Sequence, residues 1–412
     1  MRNRHPFLFS GRFLPSLPML VRTRVAICCS FFIQGMVFAT WCARIPDVRE
    51  RLGLNEAQLG TLLLALPVGQ LVSMAPNGWL VSRFGSRRML IAAGFLYPCV
   101  LLFLGFAPTA WALGAGLLAA GFAANLSNTA ANTQGVQLEH YYRRSIIALF
   151  HGMWSLAGLA AVALALALAP LGAPTWAHFA LVAAGACALL AFSGGALMPF
   201  DRAPAPVRGE AAAGRSPWRL TPYLFWIGIA SLGCMACEGA IYDWSGVYFR
   251  DVLRVAPAHQ SVGYFAYLCA MVSCRFVADR VVNRFGTARV LYGCGACIAG
   301  GLALAVALSL CGPALAVAGA AAGFALVGCG TSAVVPIGCG LAGKAPGVPT
   351  GIAIAQVSTV GFFGFLATPP LIGYVAHATS LRHAFALMAA IGLLVVVATW
   401  RLRGAAGGVI RR

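Results

Sequence analysis

Charge is what this chain has least of. Asp, Glu, Lys and Arg make up 9% of its 412 residues, and only ten of these are acidic, where soluble domains carry roughly 25%. Lysine is almost missing: Lys344 stands beside 28 arginines, an imbalance that reads as base composition and not as a clue to a ligand. The seven histidines do not cluster, and no nucleophile–base motif lies in the apolar segments, so an enzyme, a metal site and a bound cofactor are not expected. Fourteen cysteines are present. Their two CxxC spacings, Cys234/Cys237 and Cys294/Cys297, fall inside apolar stretches with no basic neighbour or Gly-Pro turn, where cysteine acts as a small hydrophobe.

Apolar residues fill the space that charge leaves. They account for 60% of the chain, more than a soluble protein of this length can hide, whereas a bilayer accommodates about 20 per span. Twelve such runs are expected near 25–43, 57–82, 89–107, 109–137, 147–169, 177–198, 222–246, 258–282, 289–311, 313–342, 350–374 and 382–400. They lack strand alternation, and in hydrocarbon only helices or closed barrels satisfy their backbone. The fold class is therefore all-α: a polytopic membrane protein of twelve transmembrane helices.

The chain also repeats itself. GWLVSRFGSRRML at Gly78–Leu90 returns as DRVVNRFGTARVL at Asp279–Leu291, with six of thirteen positions identical. Each copy joins two apolar runs by an Arg-rich turn, and the spacing is close to half the chain. Two pseudo-symmetric six-helix bundles follow, at 25–198 and 222–400, with an interface that can rock. Between them 199–221, rich in Pro, Ala and charge, reads as a solvent-exposed linker. Residues 1–24 and 401–412 read as basic tails. The N-terminal apolar stretches are too short for a cleaved signal, and Met19 is an alternative start.

Basic residues set the orientation. With both termini in the cytoplasm, 22 of the 29 Lys and Arg fall in inner segments, as the positive-inside bias requires. The net charge of +19 is then explained by anionic lipid at the inner surface. No basic patch sits in a foldable soluble domain, so nucleic acid is not an expected partner.

Twelve spans, the two-half repeat, the central linker and the RFGxRR-type turn together resemble the major facilitator superfamily, over roughly 25–403. GMVFATWCARIPDVRERLGLNEAQLG (Gly35–Gly60), FHGMWSLAG (Phe150–Gly158), EGAIYDWSGVYFRDVL (Glu238–Leu253) and GFFGFLATPPLIGYVA (Gly361–Ala376) resemble a bacterial branch related to the fucose permease and other inner-membrane proteins. The resemblance implies a multi-pass protein of the bacterial cytoplasmic membrane. It also implies a conformational latch at the repeated turns: Gly78, Arg83, Gly85 and Arg88 in the first copy, and Asp279, Arg284, Gly286 and Arg289 in the second. Gly78 would allow close helix contact and Gly85 a tight turn. Ser82 stands where the family carries an acid, with Asn283 at the matching position, so capping by the Ser82 hydroxyl is the alternative to a charged latch, and arginines that only set topology are another.

Polar groups within the spans carry the functional signal, because hydrocarbon penalises them unless they are satisfied. Asn125, Asn128 and Asn132 recur at i, i+3 and i+7 on one face of the fourth helix. Gln34, His151, Trp154 and Gln356 lie within other spans. Amides beside an aromatic surface suit a hydroxylated or otherwise neutral polar solute; interhelical bonding is the alternative. Glu238 is six residues, about 9 Å, deeper than Trp244. Aligning Trp41 with Trp244 sets it one residue from Gln34 in the matching helix. A carboxyl at that depth must be protonated, paired or hydrated, and can exchange a proton with either side. Arg275 and Asp279, at i and i+4, read as a structural pair.

These residues describe a secondary transporter working by alternating access, with proton-coupled uptake of a sugar-like or small polar solute. Glu238 is the proton site, and Gln34, Asn125, Asn128, Asn132, His151, Trp154 and Gln356 line the cavity. Proton-driven efflux of lipophilic compounds is the alternative, weakened because no proline follows His151 before Pro170. A sensor would need a cytoplasmic output domain that the linker and tails do not offer. The partners expected are the solute, protons and lipid; solute identity and oligomeric state are not written in these patterns.

Overall fold

Every apolar run folds as a helix, the form in which a backbone crossing hydrocarbon satisfies its own hydrogen bonds; the computed structural model describes residues 17–142, 146–199 and 220–405. The first half contains α1 (Leu17–Leu52), α2 (Glu56–Leu63), α3 (Ala65–Phe84), α4 (Ser86–Phe106), α5 (Ala110–Tyr142), α6 (Ile147–Leu168) and α7 (Thr175–Ser193). The second contains α8 (Pro222–Val247), α9 (Val262–Phe285), α10 (Thr287–Leu308), α11 (Pro313–Ala342), α12 (Thr350–Ala378) and α13 (Leu381–Ala405). Among the described residues there is no strand, and twelve spans are long and apolar enough to cross a membrane, α2 and α3 forming one of them.

Three boundaries differ from the sequence reading, each for a physical reason. The helix expected at 25–43 runs from Leu17 to Leu52, because a helix need not end where the hydrocarbon ends. Its charged last turns hold themselves, with Arg44 and Asp47 paired at 2.9 Å. The second span breaks at Leu64, between α2 and α3, where Pro67 has no amide to offer the carbonyl of Leu63. The expected tails are shorter, since residues 17–24 and 401–405 are helical; 1–16, 406–412 and nearly all of the 199–221 linker lie outside the described residues.

Helix packing repeats between the halves. In the first, α1 packs on α6, α3 on α5, and α4 on α7; in the second, α8 packs on α12, α9 on α11, and α10 on α13. Because lipid tails are as apolar as leucine, helices in a bilayer associate through close packing at small residues. A Cβ on Gly121 of α5 would lie 2.1 Å from the Leu66 carbonyl oxygen of α3, and one on Gly328 of α11 would lie 2.3 Å from that of Tyr267 on α9. Large apolar side chains face outward instead, among them Val72, Trp111, Phe192 and Phe276.

The repeated turns join α3 to α4 and α9 to α10 through Gly85 and Gly286, whose φ angles of 89° and 82° no other residue adopts cheaply. Both glycine amides close the preceding helix, on Val81 and Val282. Gly78 does not serve close contact as expected, for a Cβ there would meet open space. Ser82 does not cap the turn either; its hydroxyl donates to the Trp79 carbonyl within its own helix.

Candidate functional site

With an even number of spans, both described ends of the chain lie on one face, called here the terminal face; the opposite face is distal. Between the halves lies a cavity of about 650 Å³. The first half contributes Gln34 and Phe38 from α1, Gln70 from α3, Asn125 and Asn128 from α5, and His151 and Trp154 from α6. The second contributes Glu238 and Tyr242 from α8, Arg275 from α9, and Ser358, Thr359 and Phe365 from α12.

The distal end of this cavity is sealed by contacts that cross between the halves. α1 ends at Leu52, the chain turns at Gly53, and Asn55 caps α2 with a reciprocal capping box to Gln58, so that corner presents Asp47, Arg49, Glu50 and Glu56. Asp251 and Arg250 meet them from the π-type turn Tyr248–Val252 that ends α8. Arg49 pairs with Asp251 across the interface and with Glu56 at 2.6 Å on its own side. Arg250 pairs with Glu50 and, at 3.2 Å, with Asp47. The Gln260 amide donates to Asp47 at 3.1 Å, the Ser261 hydroxyl to the Ala43 carbonyl at 3.2 Å, and Thr61 meets the Tyr374 hydroxyl at 3.1 Å.

Toward the terminal face these bonds stop among the described residues. Among the described residues the last hydrogen bond between the halves is Arg275 Nη1 to Ser155 Oγ, at 3.3 Å. The helices there diverge: α2 packs along α12 at the distal end, while α3 barely touches it. The repeated turns project from this side, with Arg83, Arg88, Arg284 and Arg289 all exposed.

The cavity gathers most of the residues singled out from sequence, but not all. Gln34, Asn125, Asn128, His151, Trp154 and Glu238 line it; Asn132 and Gln356 do not. Asn132 donates to the backbone and side-chain oxygens of Asn128, at 2.9 and 3.0 Å, because an amide one turn along finds its own helix before it finds a ligand. Asn125 lies at the rim of both roles. Its Nδ2 donates to the Gln70 carbonyl at 3.0 Å and the Ser73 hydroxyl at 2.9 Å, which ties α5 to α3. Gln34 bonds back to the Ser30 carbonyl at 3.2 Å.

Glu238 bonds to the Tyr242 hydroxyl at 2.6 Å, one turn along its own helix. Tyr242 is held in turn by an aromatic cluster, edge-on to Phe38 at 5.4 Å and to Tyr267 at 5.7 Å between ring centroids. The expected pair of Arg275 with Asp279 does not form among the described residues: Asp279 is exposed, and Arg275 points into the cavity. Sequence reasoning missed Arg275 as a cavity residue because an acid at i+4 is the usual partner of a helical arginine. It also missed Gln70, Phe38 and Tyr242, whose facing depends on neighbouring helices.

The sequence profile described as Major Facilitator Superfamily matches residues 26–347. An uncharacterized MFS-type transporter of Yersinia pestis is 32% identical, over 94% of this chain and 96% of that one. The membrane protein MosC of Rhizobium meliloti is 31% identical, over 92% and 89%. Among solved structures the nucleoside transporter NupG superposes with a TM-score of 0.70 at 13% identity, over 94% of this chain and 99% of the other. A bacterial homolog of the human lysosomal transporter Spinster, inward-facing and unoccupied, gives 0.69 at 13% identity over 95% and 98%. At that identity the two structures speak for the fold alone.

Proposed function

The chain belongs to the major facilitator superfamily and is a membrane transporter; from that premise we propose proton-coupled uptake of a small polar solute through the cavity between its halves. The observation that carries this reading is the asymmetry of the interface. One cavity takes residues from both halves, while cross-half ion pairs close its distal end and no hydrogen bond among the described residues closes its terminal end. That is the arrangement of one half-cycle of alternating access.

The positive-inside bias of the arginines makes the terminal face cytoplasmic, in a bacterial inner membrane. The cavity then opens inward, and the ion-paired seal is the periplasmic gate. In the opposite half-cycle the gate pairs separate, and the exposed turns at Arg83–Arg88 and Arg284–Arg289 close the cytoplasmic side. The domain boundaries follow the repeat, with 25–198 and 222–400 rocking about the interface.

Glu238 is the proton site in this reading. Its carboxyl is in the cavity that alternately faces each side, and its partner Tyr242 is a neutral donor and not a fixed cation. Asn128, Trp154 and Gln34 contact the solute from the first half. His151, on the same face of α6, completes that wall.

The test begins with thermal stabilisation of the detergent-purified protein by sugars, polyols and lipophilic cations. Ligand at about 100 times its dissociation constant stabilises by roughly 2.7 kcal/mol. Stabilisation by polar ligands, reduced in Asn128→Ala or Trp154→Ala, supports the cavity; stabilisation by lipophilic cations alone would overturn uptake in favour of efflux. With a ligand in hand, Glu238→Gln in proteoliposomes is expected to lose pH-driven accumulation and keep counterflow exchange. Accumulation retained by that variant would remove the coupling assignment.

A further inference from the structure

The cavity's charges narrow the solute class, given the transport reading above. Arg275 lies about 20 Å from the start of α9 and about 15 Å from its end at 1.5 Å per residue, close to mid-depth. Its Nη1 donates to Ser155 Oγ at 3.3 Å, and its Nε is buried with no hydrogen-bond partner. No carboxylate among the described residues pairs with it. Glu238 is turned to Tyr242 at 2.6 Å, and Asp279 is exposed. The arginines of the distal seal differ, for Arg44, Arg49 and Arg250 each have a carboxylate partner.

A guanidinium held within a membrane without a directly paired carboxylate is costly unless something supplies one; Glu238, the acid that shares the cavity, feels Arg275 through space but bonds to Tyr242 instead. Arg275 stands in the place where a solute must pass. Its planar fork matches a carboxylate through two parallel N–H···O bonds. With Glu238 carrying its proton, the surroundings fit one negative charge and not two: Arg275 is the arginine among the lining residues, and no lysine joins it. A phosphate ester, at about −1.5 to −2, would leave charge uncompensated. The same lining holds the rings of Phe38, Trp154 and Phe365 and the amides of Gln34, Gln70 and Asn128.

We propose that the transported solute is a small organic monocarboxylate carried on a hydroxylated body, its carboxylate bound by Arg275 at the contact between α6 and α9. Arg275 from one half and Ser155 from the other are already joined there. A carboxylate at this point therefore touches both moving parts, while the body lies against the amides of the first half.

The experiment compares matched probes at equal ionic strength: D-glucuronate with D-glucose, quinate with myo-inositol, and lactate with lactamide. Thermal stabilisation is read in the wild type, Arg275→Gln and Arg275→Lys. At least one acid is expected to stabilise the wild type where its neutral partner does not. That acid is expected to lose about tenfold or more in affinity in Arg275→Gln, the scale of a charge-assisted hydrogen bond, with partial retention in Arg275→Lys. Acids no better than their neutral partners would overturn the inference from the wild-type arm alone, whether or not the variants fold. So would an acid preference that survives Arg275→Gln. Stabilisation by the neutral partners would leave the polar-solute reading standing without its anion, whereas stabilisation only by a lipophilic cation control would sink both.

Discussion

Gly60 of α2 and Gly373 of α12 meet backbone to backbone at the distal seal: a Cβ on Gly60 would lie 2.9 Å from the Gly373 Cα and 2.5 Å from the Pro369 carbonyl oxygen. Two hydrogens take the place of two side chains, so the halves close there without a gap. The same contact sets the first expectation.

Gly60→Val is expected to disfavour this conformation by about 1–3 kcal/mol, the usual penalty for overpacking a close contact. At about 1.4 kcal/mol per tenfold the population opened at the distal face rises by roughly five- to a hundredfold. Spin labels on the distal ends of α2 and α12, with distances read by pulsed electron resonance, check this; an unchanged distribution would show that the glycine contact does not set closure.

The ion pairs at the same end are expected to act with the glycines. Arg49 and Asp251 are partly exposed, at 16% and 38% of their side-chain surface. Their coupling should therefore fall nearer the about 1 kcal/mol of an exposed pair than the about 3 kcal/mol or more of breaking a buried one. A double-mutant cycle with Arg49→Gln and Asp251→Asn, read as distal-side accessibility to a thiol reagent, measures it. The coupling is also expected to shrink in high salt.

The turn glycines separate backbone need from helix propensity. Gly85→Ala places a Cβ at φ of 89° and is expected to cost about 1–3 kcal/mol. Gly78→Ala meets open space in a helix interior and is expected to stabilise by about 0.5–1 kcal/mol. Thermal unfolding in detergent distinguishes them, and equal effects would contradict the described turn.

Close helix packing gives the fourth expectation. Gly328→Val drives a side chain into the Tyr267 carbonyl, 2.3 Å from where its Cβ would lie, and separates α11 from α9. Stability is expected to fall by about 1–3 kcal/mol, with Tyr267 displaced from the cluster around Tyr242. Thermal unfolding in detergent checks this, and an unfolding temperature equal to that of the wild type would argue against it.

Much of the molecule was legible along the chain because the bilayer is a simple solvent. Length and apolarity alone dictate helices, so twelve spans could be counted from runs of residues, and a repeated Arg-Phe-Gly turn announced the two halves. Glu238, Gln34, His151 and Trp154 stood out because a polar group within a span needs a reason. Helical spacing then placed Asn125, Asn128 and Asn132 on one face, but a face is wider than a cavity. Asn125 spends its donors on α3, and Asn132 spends its own on Asn128.

What only the tertiary structure decided is which partner each polar group finds. The sequence offers Arg275 an acid four residues on, and the fold instead turns that arginine toward Ser155 of the other half and into the cavity. It likewise brings Arg49 to Asp251 and Arg250 to Glu50, some 200 positions apart. Local rules fix what a helix can bury; the approach of two halves, governed by glycine contacts far apart in the chain, fixes what faces the space between them.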